Sequence, residues 1–129
     1  MPTLIPSISS CKFDTTGERR FARLLEAKLE DDYLCWYNVP IGPSRLHPDF
    51  IIMHPQRGLL VLEVKDWRLS TIQSINSHEA TIFVNNAPVK VKNPLEQARG
   101  YAMAVADILK SDPQLVWADG RYQGKLLCP

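Results

Sequence analysis

Two hydrophobic periods alternate along this chain and divide it into elements. Phe21, Ala22, Leu25 and Leu29 are three or four residues apart, the stripe of an amphipathic helix. Thr15 caps its start, with Glu18 three positions on as the reciprocal partner of a capping box, and the stripe ends near Asp31 and Asp32. Glu18 lies on the line of the stripe, so its carboxylate is expected to face inward rather than water.

Residues 33–39 are aromatic and β-branched and are closed by Pro40, which predicts a first strand. Residues 49–53 and 59–65 predict two more, joined by the turn-like His54-Pro55-Gln56-Arg57-Gly58. Both runs are apolar almost without alternation, the pattern of strands covered on two faces at the centre of a sheet, so a helix is expected on at least one side. Residues 69–75 and 81–84, separated by Asn76-Ser77-His78-Glu79, predict a more exposed hairpin near the sheet edge. Asn93-Pro94-Leu95-Glu96 opens a second helix, with an N-cap, a proline at the first helical position and an acidic residue after it. That helix runs through Ala98, Ala102, Val105 and Ile108 to a stop before Pro113, and residues 122–127 predict a last strand. The order helix, three strands, hairpin, helix, strand is an α/β or α+β fold with a mixed sheet. Residues 1–14 are read as a lead and 15–129 as the domain, and the abrupt end on Cys128-Pro129 suggests a domain cut from a longer, multidomain chain.

Composition narrows the classes. A chain of 129 residues, 45% hydrophobic and 22% charged, can bury a core of its own. Fifteen Lys and Arg against fourteen Asp and Glu leave a formal charge of +1, which excludes nucleic-acid binding by global electrostatics and demands a local site. Cys11, Cys35 and Cys128 are odd in number, without CxxC or zinc-finger spacing, which points to a thiol-reducing compartment, here the cytoplasm. No secretory signal opens the chain, and no apolar run approaches the roughly 20 residues of a membrane span. P-loop, dinucleotide-fingerprint and nucleophile-elbow motifs are missing too, so nucleotide-dependent and acyl-transfer chemistry have no support.

Against this background Asp49, Glu63 and Lys65 stand out, because they sit at or inside the two most hydrophobic strands, where charges persist only when paired or bound to metal. A turn centred on Gln56 places Asp49 opposite Glu63, and Lys65 shares the face of Glu63. Two carboxylates that close repel unless a cation lies between them. Lys65 supplies part of that charge, and a divalent ion supplies more. Hard oxygen donors without Cys or a His cluster favour Mg²⁺ or Mn²⁺ over Zn²⁺. The alternative is a buried salt-bridge cluster without activity, although such clusters add little stability.

Pro48-Asp49 followed by Glu63-Val64-Lys65 one hairpin later, after a helix carrying Glu18, resembles the PD-(D/E)xK, or restriction-endonuclease-like, superfamily. More finely, Gly17-Glu18, the Leu-Leu-Val-Leu-Glu-Val-Lys strand with Asp66-Trp67, and Asn93-Pro94-Leu95-Glu96-Gln97-Ala98 are similar to the nuclease-related domain, NERD. The resemblance implies a central mixed sheet flanked by helices and a metal-dependent nuclease acting on DNA, or RNA, in DNA processing or repair. It implies Asp49, Glu63, the Val64 carbonyl and Glu18 as metal ligands, with Lys65 at the attacking water. Gln97 would assist catalysis, and Tyr101, Arg19, Arg99 and Lys92 would contact substrate. It also implies a fused or associated helicase domain and a homodimer as partners. Ordinary roles compete: Glu18 as a capping-box residue, Gln97 and Tyr101 as helix surface and core, the basic residues as solvated faces. A non-catalytic nucleic-acid-binding or docking module of the same fold is the rival function.

Overall fold

The computed structural model describes residues 1–127, and Cys128 lies outside the described residues. Helix α1 spans Thr16–Lys28. Its capping box forms: the Glu18 N–H donates to the Thr15 hydroxyl, and the Thr15 N–H donates to Glu18 Oε2. Ala22 and Leu25 turn to the core as the stripe requires, and Glu18 is only 4% exposed, so the inward carboxylate is real.

Strands β1 (Thr3–Ile5), β2 (Leu34–Tyr37), β3 (Phe50–His54) and β4 (Gly58–Leu62) form a mixed sheet in that order. β1 runs parallel to β2, and the other neighbours are antiparallel. The alternating residues Tyr33, Cys35 and Tyr37 of the β2 segment and Phe50 and Ile52 of β3 face α1 and make the core with Ala22 and Leu25. Phe50 anchors this layer, fully buried, with the Phe21 and Tyr37 rings each 5.2 Å from its own.

β3 is internal to the sheet and buried at every position but Met53, as its apolar run predicts. β4 differs: it is the edge strand of its sheet, half-covered, with Leu60 55% exposed. An unbroken apolar run does not distinguish a central strand from an edge strand beside a helix. Here α2 (Pro94–Lys110), started by the Asn93 cap and Pro94, lies along β4 and leaves a groove of about 480 Å³ lined by Leu59, Val61, Leu95, Ala98 and Arg99 among others.

The predicted edge hairpin is a separate three-stranded antiparallel sheet, β5 (Ile72–Ile75), β6 (Glu79–Val84) and β7 (Ala87–Lys92). The expected final strand does not form. Residues 116–127 carry only isolated bridges, Val116 with Leu126 and Trp117 with Gln123. Gly120 and Gly124 both take φ of +80°, which curls the segment into turns. Overall this is the α/β, or α+β, class expected, with helices on a mixed central sheet.

At the turn end of the β3–β4 hairpin, buried His54 uses both ring nitrogens: Nδ1 accepts the Gln56 N–H at 3.1 Å, and Nε2 donates to Asp32 Oδ2 at 2.8 Å. The Tyr33 ring packs against it at 4.6 Å. His54→Ala removes the bonds to the Gln56 N–H and to Asp32 and opens a cavity where a buried ring stood, so a loss of about 2 kcal/mol is expected in urea unfolding.

Candidate active site

The opposite end of the same hairpin carries the charges. The turn residues His54 and Gly58 set a register in which Phe50 faces Leu62, and continuing it by one rung brings Asp49 beside Glu63. At that rung the strands are held by side chains instead of a backbone ladder. Glu63 Oε1 accepts the Asp49 N–H at 3.1 Å, and Asp49 Oδ2 accepts the Val64 N–H at 2.9 Å. Each carboxylate thus spends one oxygen on the other strand's backbone. Asp49 is also fixed from the β2 side, its carbonyl accepting the Asn38 N–H at 3.0 Å.

The predicted strand 59–65 stops short, β4 ending at Leu62, so Glu63 and Lys65 lie just past the backbone ladder and it is a contact, Lys65 Nζ at 4.0 Å from Glu63 Oε2, that joins them. The glutamate side chain is 4% exposed and the lysine side chain 33%, so the pair grades from dry to wet. Glu18 reaches the same place from α1. Its Oε2 accepts the Asp14 N–H at 3.0 Å, the Thr15 N–H at 3.1 Å and the Tyr37 hydroxyl at 2.9 Å. The capping role and the site role therefore do not compete: the cap is what aims the side chain.

The electrostatics follow from burial. Desolvation pushes the Glu18 carboxyl above its ordinary range, with the Tyr37 hydrogen bond opposing and the Asp49 charge adding to the rise. Desolvation also raises Asp49, with the Val64 N–H opposing and the Glu63 charge adding. Burial holds the Tyr37 phenol well above its usual value, so it remains a donor to Glu18.

Glu18, Asp49, Glu63, Val64 and Lys65 are therefore brought together. The other candidates are not bonded to them. Gln97 Nε2 donates to the Tyr101 hydroxyl at 3.0 Å along α2, Arg99 lines the β4–α2 groove, and Lys92 pairs with Glu79 across the second sheet. Arg19 is exposed on α1, 6.0 Å above the Phe13 ring. Among the described residues no three His, Cys, Asp or Glu side chains enclose a point where a metal ion would sit.

One participant, Tyr37, was not foreseen from the sequence. Tyr37 was legible only as a core strand residue, although Tyr33, Cys35 and Tyr37 share one face and put its hydroxyl in line with the start of α1. Asp66, which follows the strand motif, lies against the start of α1: a Cβ on Gly17 would sit 3.1 Å from Asp66 Oδ1, so the two segments meet where only glycine fits without displacement.

No helix among the described residues is long and apolar enough to cross a membrane. Comparison with curated proteins and with solved structures gives no match. The family model of the nuclease-related domain, NERD, matches residues 14–122, which takes in α1, the carboxylate pair, Lys65 and α2. The chain belongs to the nuclease-related domain family.

Proposed function

We propose that this domain is a metal-dependent nuclease that hydrolyses phosphodiester bonds in DNA during DNA processing or repair. The observation that carries this reading is the rung at the open end of the hairpin, where two carboxylates and a lysine converge, the Glu63 side chain nearly dry and the lysine at the wet edge. A purely structural cluster there would add little stability for the desolvation it costs.

The donors fit Mg²⁺ or Mn²⁺. Asp49, Glu63, the Val64 carbonyl and Glu18 offer only hard oxygens. Mg²⁺ takes one or two protein carboxylates and keeps several waters, so it needs no closed protein cage. When bound, the ion would stabilise charge on the phosphate oxygens and make its water acidic. The chain's own residues do the rest. Asp49 and Glu63 are held from turning by the backbone N–H groups they accept. Lys65 orients the attacking water and offsets the charge of the phosphate. Glu18, fixed by three donors, keeps its carboxylate beside Asp49. Gln97, in the first turns of α2, contacts a phosphate with help from the positive helix end, and Tyr101 holds Gln97 in place. Arg19, Arg99 and Lys92 belong to the approaches for DNA or RNA. A fused or associated helicase domain and a second copy are the partners that go with this reading.

Calorimetric titration with Mn²⁺ tests it. The expected result is one site that disappears in the Asp49→Asn, Glu63→Gln double variant, together with Mg²⁺-dependent cleavage of single-stranded, duplex or branched DNA. Protein inert on all three substrates and silent toward Mn²⁺ would sink the proposal. Unchanged DNA binding in the double variant, with no cleavage by the wild type, would favour a docking module instead.

A further inference from the structure

The sheet β5–β7 has two unlike faces. Directly opposite residues share a face, so the pairs Ala80–Val91, Ile82–Val89 and Val84–Ala87 make one side apolar. The bulge between Ile72 and Ser74 lets both Ile72 and Ile75 join it, opposite Ile82 and Ala80. Ala80 and Ile82 are buried, so this side is covered at its middle, while Ile75, Val84 and Val89 toward its margins stay exposed. The pairs Glu79–Lys92, Thr81–Lys90 and Phe83–Pro88, with Ser74 beside Thr81, make the other side. It presents Phe83, 41% exposed, and two lysines.

A phenylalanine on the packed side would be ordinary; on the polar side it needs another account. Lys90 and Lys92 follow Pro88 on the same face, one rung of about 7 Å apart. An exposed ring beside regularly spaced cations matches a base and its neighbouring phosphates. The Glu79–Lys90 contact, 3.9 Å with the side chains 47% and 74% exposed, holds Lys90 weakly and lets it exchange onto phosphate.

The sheet is joined to the candidate site by a short segment of chain. Ile72 follows Lys65 by seven residues, a span of at most about 25 Å. At the other end, buried Asn93, the cap of α2, is tied to the turn between β5 and β6: its N–H donates to the His78 carbonyl at 3.0 Å, and its Nδ2 donates to the Asn76 carbonyl. The tip is a two-residue turn with Asn85 and Asn86 at φ of 52° and 64°, the left-handed pair that matches strand twist, so the ribbon is stiff.

We propose that the Phe83–Lys90–Lys92 face of this sheet is a platform for a single-stranded stretch of nucleic acid, with Phe83 stacking on a base and the lysines on phosphates. In a duplex both faces of each base are already stacked, so an aromatic side chain gains this contact only from an unpaired strand. The inference rests on the nuclease reading for its context and adds to it the form of substrate held.

The test is fluorescence anisotropy of a labelled single-stranded oligodeoxynucleotide with the full chain in EDTA, where no cleavage occurs, with an oligoribonucleotide and a duplex alongside. Phe83→Ala is expected to weaken single-strand binding about tenfold, and Phe83→Trp to keep it. Lys90→Ala with Lys92→Ala should lower the slope of log K against log salt by about 1.4. The DNA and RNA arms show which strand is preferred. Wild-type affinity in both variants, tighter binding of duplex than of single strand, or no binding at all would overturn the proposal. A protein partner on this face would give the first of these results. Because the readout needs no metal, a chain that binds through Phe83 but never cuts removes the nuclease reading alone, and a chain that cuts but ignores Phe83→Ala removes this one alone.

Discussion

Lys65→Ala is expected to lower Mg²⁺-dependent DNA cleavage by about 10³-fold, while Mn²⁺ affinity measured by calorimetry stays the same or tightens. The split follows from where the lysine sits. Its Nζ is 4.0 Å from Glu63 Oε2, on the wet side of a carboxylate that is itself nearly dry. Removing a cation there removes a competitor of the metal for Glu63, so ion binding has no reason to weaken. The water and the phosphate lose the group that orients one and offsets the charge of the other. Lys65→Arg should rescue poorly, because a planar fork does not reproduce a compact ammonium. Wild-type rates in Lys65→Ala, or a fall in metal affinity as large as the fall in rate, would contradict this assignment.

Asp49→Asn is expected to do the opposite to stability and to activity. In metal-free protein at neutral pH it should raise the thermal midpoint by about 4 °C, equivalent to about 1 kcal/mol in a chain of this size, while abolishing metal uptake. The asparagine keeps the shape and an oxygen for the Val64 N–H, but brings no charge into a site already holding Glu63 and Glu18. The sign fixes the pH dependence. Asp49 and Glu18 both have folded values raised above their unfolded ones, so between the two values the native state holds more protons than the unfolded chain. Through that window these groups add stability as pH falls, and above it their cost is fully expressed. The advantage of Asp49→Asn should therefore be largest near pH 8 and shrink toward pH 5 in calorimetric melting with EDTA. Mn²⁺ should stabilise the wild type more at the higher pH, where it does not compete with protons. A variant less stable than wild type at both pH values would refute the account.

What the chain's pattern revealed depended on whether local rules and tertiary demands agreed. The hairpin register was legible because His54-Pro55-Gln56-Arg57-Gly58 leaves little choice of turn, and the register alone brings Asp49 to Glu63. Glu18 was legible because one helical stripe contains both its cap role and its inward direction. β1 was not, because three residues between Pro2 and Pro6 have no periodicity, and only the partner β2 makes them a strand. β7 was hidden by Pro88, Lys90 and Lys92, which read as polar, although Ala87, Val89 and Val91 alternate with them after the turn-forming Asn85-Asn86. The last strand failed in the other direction: Leu126 and Leu127 look like a strand until Gly120 and Gly124 are given their backbone angles. Tyr37 was invisible as a site residue because nothing in a strand's own pattern says which hydroxyl will meet a helix cap.

The β3–β4 hairpin has its turn at one end and its carboxylates at the other. Hairpins close most cheaply at the turn, where the loop is shortest, and each later rung depends on those before it. Asp49 and Glu63 form the rung after the last backbone pair, held across the hairpin by two side-chain bonds, with the Asn38 N–H tying Asp49 to the β2 side. A chain that is only partly zipped has strands but no site. The geometry thus acts as a safety catch, in which the acidic pair is complete only when the strands that carry it are fully paired.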